Sequence, residues 1–188
     1  IIGNGPSLKA EDLEKIKDEY SFGCNMIYKI FPETNWRPTY YFIEDSLAYR
    51  NLFQEIKKFQ FPKFVSSIAL EWQKLPLIHN GVKFFDYLYY WEIYPEKPPL
   101  TVDFTKEVWS MYNVGLMMIN AAIYMGFKEI YLLGMDFSYD FSNLKEIKVI
   151  GKDGKEEIRY LVNGKDNNHF AKDLIKAGQQ VYKTDPKY

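Results

Sequence analysis

The sequence predicts an α/β fold, a mainly parallel sheet flanked by helices. Three observations carry this. Short apolar runs alternate with amphipathic segments of helical spacing along the whole chain. Gly, Asn, Asp or Glu residues follow the apolar runs at 3–5, 25, 44–45 and 134–136, where strands of an α/β sheet present their ligand-binding edge. The stretch 111–125, MYNVGLMMINAAIYM, contains no charge, so it reads as a helix buried by the sheet.

Taken in order, Ile1-Ile2 reads as the tail of a buried strand that enters Gly3-Asn4-Gly5-Pro6-Ser7. Residues 8–19 set Leu8, Leu13 and Ile16 among charges, an amphipathic helix with Ser7 as its cap. Strands are expected at 22–27, 40–43 and 64–67, and a helix at 47–59 with Leu52, Phe53 and Ile56 on one face. Between 71 and 107, aromatic residues crowd between Pro76, Pro95, Pro98 and Pro99, which predicts a short strand and an irregular connection. Gly126 ends the uncharged helix, and 129–133 is expected as a central strand. Residues 148–150 and 156–162 flank Asp153-Gly154 as a β-hairpin, followed by a last helix at 171–182. An insertion spanning about 138–170 would lie over the crevice at the sheet edge, as a lid.

A length of 188 residues suits one domain. Both ends read as trimmed from a longer chain. Hydrophobic residues at 47% and charged residues at 26% place the chain in the globular class. A formal net charge of -1 supplies no global field for nucleic acid or an anionic membrane, so any anion must be bound locally. Cys24 is the only cysteine, which excludes an internal disulfide and a cysteine-based zinc site and fits a reducing, cytoplasmic setting. No apolar run has the length of a membrane span. The aromatic share of 18% favours a site that uses tyrosine hydroxyls.

Five constellations bear chemistry. Gly3, Asn4, Gly5 and Ser7 between strand and helix could bring backbone amides to a phosphate, or could form an ordinary tight turn with a serine cap. Asn25, after Cys24, offers a donor and an acceptor to a base or ribose. Glu44-Asp45 could hold Mg²⁺, read ribose hydroxyls or cap a helix, with the cap favoured for Asp45. Asp136 stands at a strand's C-terminal edge, either toward a ligand or accepting backbone amides to fix its loop. His169, among Asp166, Asn167 and Asn168 at an expected helix start, is the natural general base, whereas His79 has no acidic neighbours.

The blocks Ile2-Gly3-Asn4-Gly5-Pro6-Ser7-Leu8, Cys24-Asn25, Asn113-Val114-Gly115, residues 126–137 (GFKEIYLLGMDF) and Asn168-His169-Phe170 resemble one group of proteins. That group is the domain family of 6-hydroxymethylpterin diphosphokinase-like proteins and motility-associated glycosyltransferases, with similarity to Campylobacter-type sialyltransferases. The resemblance implies a Rossmann-like, GT-A-type sheet with a lid over a nucleotide donor. It also implies that Asn4, Gly5 and Ser7 line the nucleotide and its phosphate, that Asn25 contacts the nucleotide, and that Asn113 and Gly115 approach the donor from a helix start. By the same likeness His169 is the base, and Tyr139 and Tyr160 support the leaving phosphate without metal. Ser138 stands where one of those tyrosines falls, and Asp173 offers a second candidate base four residues beyond His169.

These readings converge on a metal-independent, inverting glycosyltransferase with a nucleotide-sugar donor, a CMP-linked sugar among the candidates, and a glycan or other hydroxyl acceptor. Two alternatives stay open. One is diphosphate transfer from ATP to a hydroxymethylpterin-like alcohol, with Mg²⁺ at Glu44, Asp45 and Asp136. The other is a nucleotide- or glycan-binding module without turnover.

Overall fold

A computed structural model describes residues 1–66, 82–85, 103–104, 113–151, 154–171 and 174–182. Four parallel strands form the main sheet: β1 (Phe22–Cys24), β2 (Tyr40–Ile43), β3 (Lys63–Ser66) and β4 (Val82–Phe85), adjacent in that order. Ile2 extends it beyond β1 through parallel bridges to Gly23 on one side and Leu133 on the other. The lateral order is therefore Leu133, Ile2, β1, β2, β3, β4. The chain starts at Ile2, steps four times in one direction, and returns to the opposite side of Ile2. Such a reversal is where an α/β sheet opens a crevice beyond its strands' carboxyl ends.

Period-two alternation distributes the side chains between the two faces. Tyr41, Ile43 and Val65 join Ile2, Leu13, Ile27, Tyr49 and Ile56 in one core, against α1 (Ala10–Lys15), a 3₁₀ segment (Asn25–Glu33) and α2 (Ser46–Ile56). Phe22, Cys24 and Phe42 face the other way, against Met117, Met118, Ala121 and Ala122 of α3 (Val114–Tyr124). On that second face Phe22 stacks on Phe42 at 5.4 Å between centroids, and Phe42 on Phe64 at 4.6 Å, an aromatic row running across three strands. Such cross-strand pairs stabilise a sheet beyond the area they bury.

After the main sheet, β5 (Leu144–Ile150) and β6 (Glu156–Val162) form an antiparallel hairpin, and β7 (Gln180–Tyr182) adds a third strand beside β6. Gly154 turns the hairpin at φ +78°.

Several expectations are corrected. Helix α1 is short, and its N-cap is Lys9, which makes no side-chain cap; Ser7 is drawn instead to Asp136. The strand expected at 22–27 stops at Cys24, because Asn25 takes a left-handed φ of +47° and the chain tightens into the 3₁₀ segment. The segment expected as a central strand at 129–133 contributes one bridge, at Leu133, and lies at the margin of the described sheet with Tyr131 73% exposed. The uncharged helix starts at Val114, and Ile123 and Tyr124 are exposed rather than buried. No helix forms over the described part of 171–182: Leu174–Gln179 runs through turns held by Asp166 and Gln179 into β7. Backbone pairing with β6 outweighs the local helical pattern there. The strand expected in the aromatic region corresponds to β4, and the rest of that region, including His79, lies outside the described residues.

Candidate functional site

The crevice at the reversal point is built from two chain exits packed on one another. Gly3 N donates to Leu133 O (2.8 Å) and Gly5 N to Gly134 O (2.8 Å), so the two loops leave the sheet in contact. A Cβ on Gly3 would overlap Gly134 O and sit 2.6 Å from Met135 Sδ. On Gly5 it would overlap Asp136 Oδ2 and lie 2.8 Å from Gly134 O. Both glycines are thus required by the neighbouring loop. Gly115 closes on Met135 from the other side, so that Met135 is clasped between Gly3 and Gly115. Asn113, the N-cap of α3, accepts from Gly115 N (2.8 Å) and Leu116 N (3.4 Å).

Asp136 locks the glycine loop. Its Oδ2 accepts from Ser7 N (2.9 Å), and Oδ1 accepts from Ser7 Oγ. With Leu8 N donating to Gly5 O (3.1 Å), the amides of Gly3, Gly5, Ser7 and Leu8 all have partners within the chain. The loop is a self-satisfied turn with a carboxylate in the position an external anion would take at Ser7.

The neighbouring exits present side-chain oxygens. Asn4 Nδ2 donates to Cys24 O (3.1 Å), which fixes the amide and leaves Asn4 Oδ1 buried with no partner among the described residues. Asn25 Oδ1 is buried in the same condition, while Tyr41 Oη donates to Asn25 O (2.6 Å) and steadies its left-handed backbone. Buried acceptors without donors cost stability, and such groups in a native structure call for a ligand or solvent partner. The Cys24 thiol between them is pushed up to about 12 by burial, which makes it a packing group rather than a nucleophile. Glu44 is buried after β2, and Asp45 caps α2 through Oδ1 to Ala48 N (2.7 Å). Burial raises the Asp45 carboxyl; the Ala48 and Leu47 amides and the Arg159 guanidinium of β6 pull it partly back.

The segment 163–171 joins this edge through Phe170 N, which donates to Asn4 O (2.9 Å). One residue earlier, His169 Nδ1 lies 2.7 Å from Asp166 Oδ2. A carboxylate only accepts, so Nδ1 carries the proton and the Nε2 lone pair is left available. Asp166 is buried, yet its carboxyl is held below the ordinary value: burial pushes it up, and bonds to His169 and to the Asn168 and Ile175 amides outweigh that. His169 therefore rests on a carboxylate and not, as its position had suggested, on a helix start. Asp173 lies outside the described residues. The loop after Asp136 is tied to the same segment: Asp140 N donates to Asn168 Oδ1 (2.6 Å), and Asn167 Nδ2 to Asp140 Oδ2 (2.7 Å). Tyr139, half exposed, leans on Phe141, whose far face meets the buried Tyr160.

The structure thus gathers Gly3, Asn4, Gly5, Ser7, Asn113, Gly115 and Asp136 at one crevice, with Asn25 beside Asn4 and the His169–Asp166 pair one residue from Phe170. Sequence reasoning named Asp166 only as a neighbour of His169; the spacing of an acid three residues before a histidine was the available signal. Among the described residues no group of three or more His, Cys, Asp or Glu side chains could hold a metal.

Residues 1–141 match the family described as 6-hydroxymethylpterin diphosphokinase MptE-like. The chain belongs to that family. The match covers the glycine loop, Asn25, Glu44, Asn113, Gly115, Asp136 and Tyr139, and ends before the hairpin, so Tyr160, Asp166 and His169 lie beyond what the family model describes. No curated protein and no solved structure matches the chain. No described helix is long and apolar enough to cross a membrane.

Proposed function

We propose that this MptE-like chain is a nucleotide-dependent transferase that passes a sugar from a nucleotide-activated donor to a hydroxyl acceptor, with inversion and with His169 as base. The observation that carries the reading is the Phe170–Asn4 hydrogen bond. It sets a histidine–carboxylate pair beside two buried, unpartnered amide oxygens. Acceptors of this kind take donors, and a nucleoside offers ribose hydroxyls and, in cytosine or adenine, an exocyclic amine.

In the transfer, the acceptor hydroxyl gives its proton to His169 Nε2 while its oxygen bonds to the anomeric carbon. The bond from that carbon to the phosphate oxygen breaks, and the nucleotide leaves with the electron pair. Asp166 holds the imidazole in the tautomer that can accept and stabilises the imidazolium that forms. Tyr139, backed by Phe141 and Tyr160, supplies a phenol for the charge growing on the departing phosphate. The hairpin β5–β6 serves as the lid of a Rossmann-like, GT-A-type site; Arg159 already brings its charge to bear on Asp45 at the sheet edge.

The family match favours a second reading, diphosphate transfer from ATP to a pterin-like alcohol. Polyphosphate transfer needs cations around the β- and γ-phosphates. Two of the three arginines are engaged elsewhere, Arg37 over the Phe31 ring and on Thr34 O, Arg159 on Glu157 and Gln180. Two of the three carboxylates weighed for Mg²⁺, Asp45 and Asp136, are committed to backbone amides. The residues present do not make a metal cage, and no step is routed through one.

Thermal shift against CMP, UDP, GDP and ATP, each with and without Mg²⁺, separates the readings, because a ligand stabilises by RT ln(1 + [L]/Kd). Stabilisation by one nucleotide without Mg²⁺, with turnover of its sugar conjugate, is expected. Stabilisation by ATP alone and only with Mg²⁺ would transfer the assignment to the diphosphokinase. No shift with any nucleotide would remove both.

A further inference from the structure

We infer that Phe137 is the platform on which the nucleobase of the donor stacks, an assignment that rests on the nucleotide reading above. Phe137 is 78% exposed, and its backbone holds a φ of +52°. Few non-glycine residues adopt that region, and a large side chain there is strained. The strain persists because both flanks are pinned. On one side Asp136 is bonded to the Ser7 amide and hydroxyl. On the other, Asp140 is held by Asn167 and Asn168 and accepts from Ser142 N (2.8 Å). A span of three residues is stretched between two anchors, with an apolar ring projected into water at its start. Observed strain that the surroundings over-determine marks functional positions.

The occupant is specified by what lies beside the ring. Phe137 follows directly on the carboxylate that grips the glycine loop, and Asn4 within that loop has a buried oxygen lacking a donor, as has Asn25 on the next strand. These oxygens can satisfy the hydroxyls or amine of a nucleoside, but they offer nothing to the faces of its base. An aromatic ring held rigidly at the rim supplies that surface without an ordering cost on binding. Stacking is tolerant of base identity, so Phe137 would add affinity while the asparagines discriminate.

The test measures dissociation constants by calorimetry for whichever of CMP, UMP, GMP and AMP binds the intact protein best, and for ribose 5-phosphate, which has sugar and phosphate but no base. Phe137→Ala should weaken the nucleotide by about 5- to 100-fold and leave ribose 5-phosphate unchanged. Phe137→Gly, which removes the ring and also relieves the left-handed backbone, should weaken the nucleotide to the same degree. Phe137→Tyr should retain affinity. Wild-type nucleotide affinity in both Phe137→Ala and Phe137→Gly would overturn the platform while leaving the nucleotide reading intact. Equal losses for nucleotide and ribose 5-phosphate would also overturn it, by showing that the loop and not the ring was disturbed. An intact protein that binds none of the four nucleotides overturns the platform and the nucleotide reading together.

Discussion

Ser7 and Asp136, 129 positions apart, are joined through both the backbone amide and the hydroxyl of the serine. The pair holds the first loop of the sheet to the last, and Gly5 lies against the same carboxylate. A methyl group at Gly5 would overlap that carboxylate and press on the Gly134 carbonyl, a backbone atom that cannot swing aside. Gly5→Ala should therefore destabilise the fold by about 1–3 kcal/mol in chemical denaturation. A double-mutant cycle of Ser7→Ala with Asp136→Asn should return a coupling of about 0.5–3 kcal/mol. Additive effects would show that the two residues do not act as a unit.

Removing the base should cost rate and spare binding. His169→Ala is expected to lower turnover by about 10²- to 10⁴-fold with nucleotide affinity nearly intact. Asp166→Asn should also slow turnover, because an amide can present its N–H to Nδ1 and favour the wrong tautomer. Steady-state kinetics with the donor identified by thermal shift reads both. Near-normal turnover in His169→Ala would move the base to Asp173.

Asp166 also sets an acid limit. Its carboxyl titrates in the folded protein below the usual aspartate value of 3.8. The folded state thus binds this proton less readily than the unfolded one, and the stability it lends is present above that value and lost as pH falls through the lowered one. Wild-type protein should lose stability over that window, while Asp166→Asn should be less stable at neutral pH and show a flatter acid limb, as followed by circular dichroism.

Asp45 behaves in the opposite sense, since burial raises its carboxyl. Keeping it ionised costs stability at neutral pH, and the cost is relieved as pH falls through the raised value. Asparagine caps a helix as well as aspartate does, so Asp45→Asn should match or exceed wild-type stability at pH 7. Asp45→Ala, which abandons Ala48 N, should lose about 0.5–2 kcal/mol. Thermal denaturation of the two variants side by side checks the sign.

If the hairpin is a lid, amide exchange across β5 and β6 should slow when nucleotide binds. Equal protection with and without nucleotide would identify a fixed element.

Much of the fold was legible because it is written locally. The alternation of Tyr40, Tyr41, Phe42 and Ile43 and the uncharged run before Gly126 each announce their element without reference to the rest of the chain. What escaped was set by partners distant in sequence. Ser7 precedes a helical pattern and resembles a cap, but a carboxylate more than a hundred residues away claims it. Residues 171–182 carry a helical pattern, but pairing with β6 takes their end into a strand. The site was legible as residue types at strand ends. Which of them face a ligand and which face each other depends on loop contacts that no spacing encodes, as the clasp of Gly3 and Gly115 on Met135 illustrates.

The bridge that ties Ile2 to Leu133 governs the order in which the molecule can assemble. Strands β1 to β4 lie side by side in the order of synthesis, so each can add to the last over a modest loop. Ile2 gains its second neighbour only after the chain has closed across 130 residues, a span marked by the bond from the first amino group to Tyr131 O. Closing so long a loop comes late and slowly. Until then the crevice lacks one wall, and one margin of Ile2 stands open to whatever strand it meets first. Folding intermediates with this edge unpaired should be the species that aggregate, and crowding residues 129–133 with charge would protect them at the expense of the finished sheet.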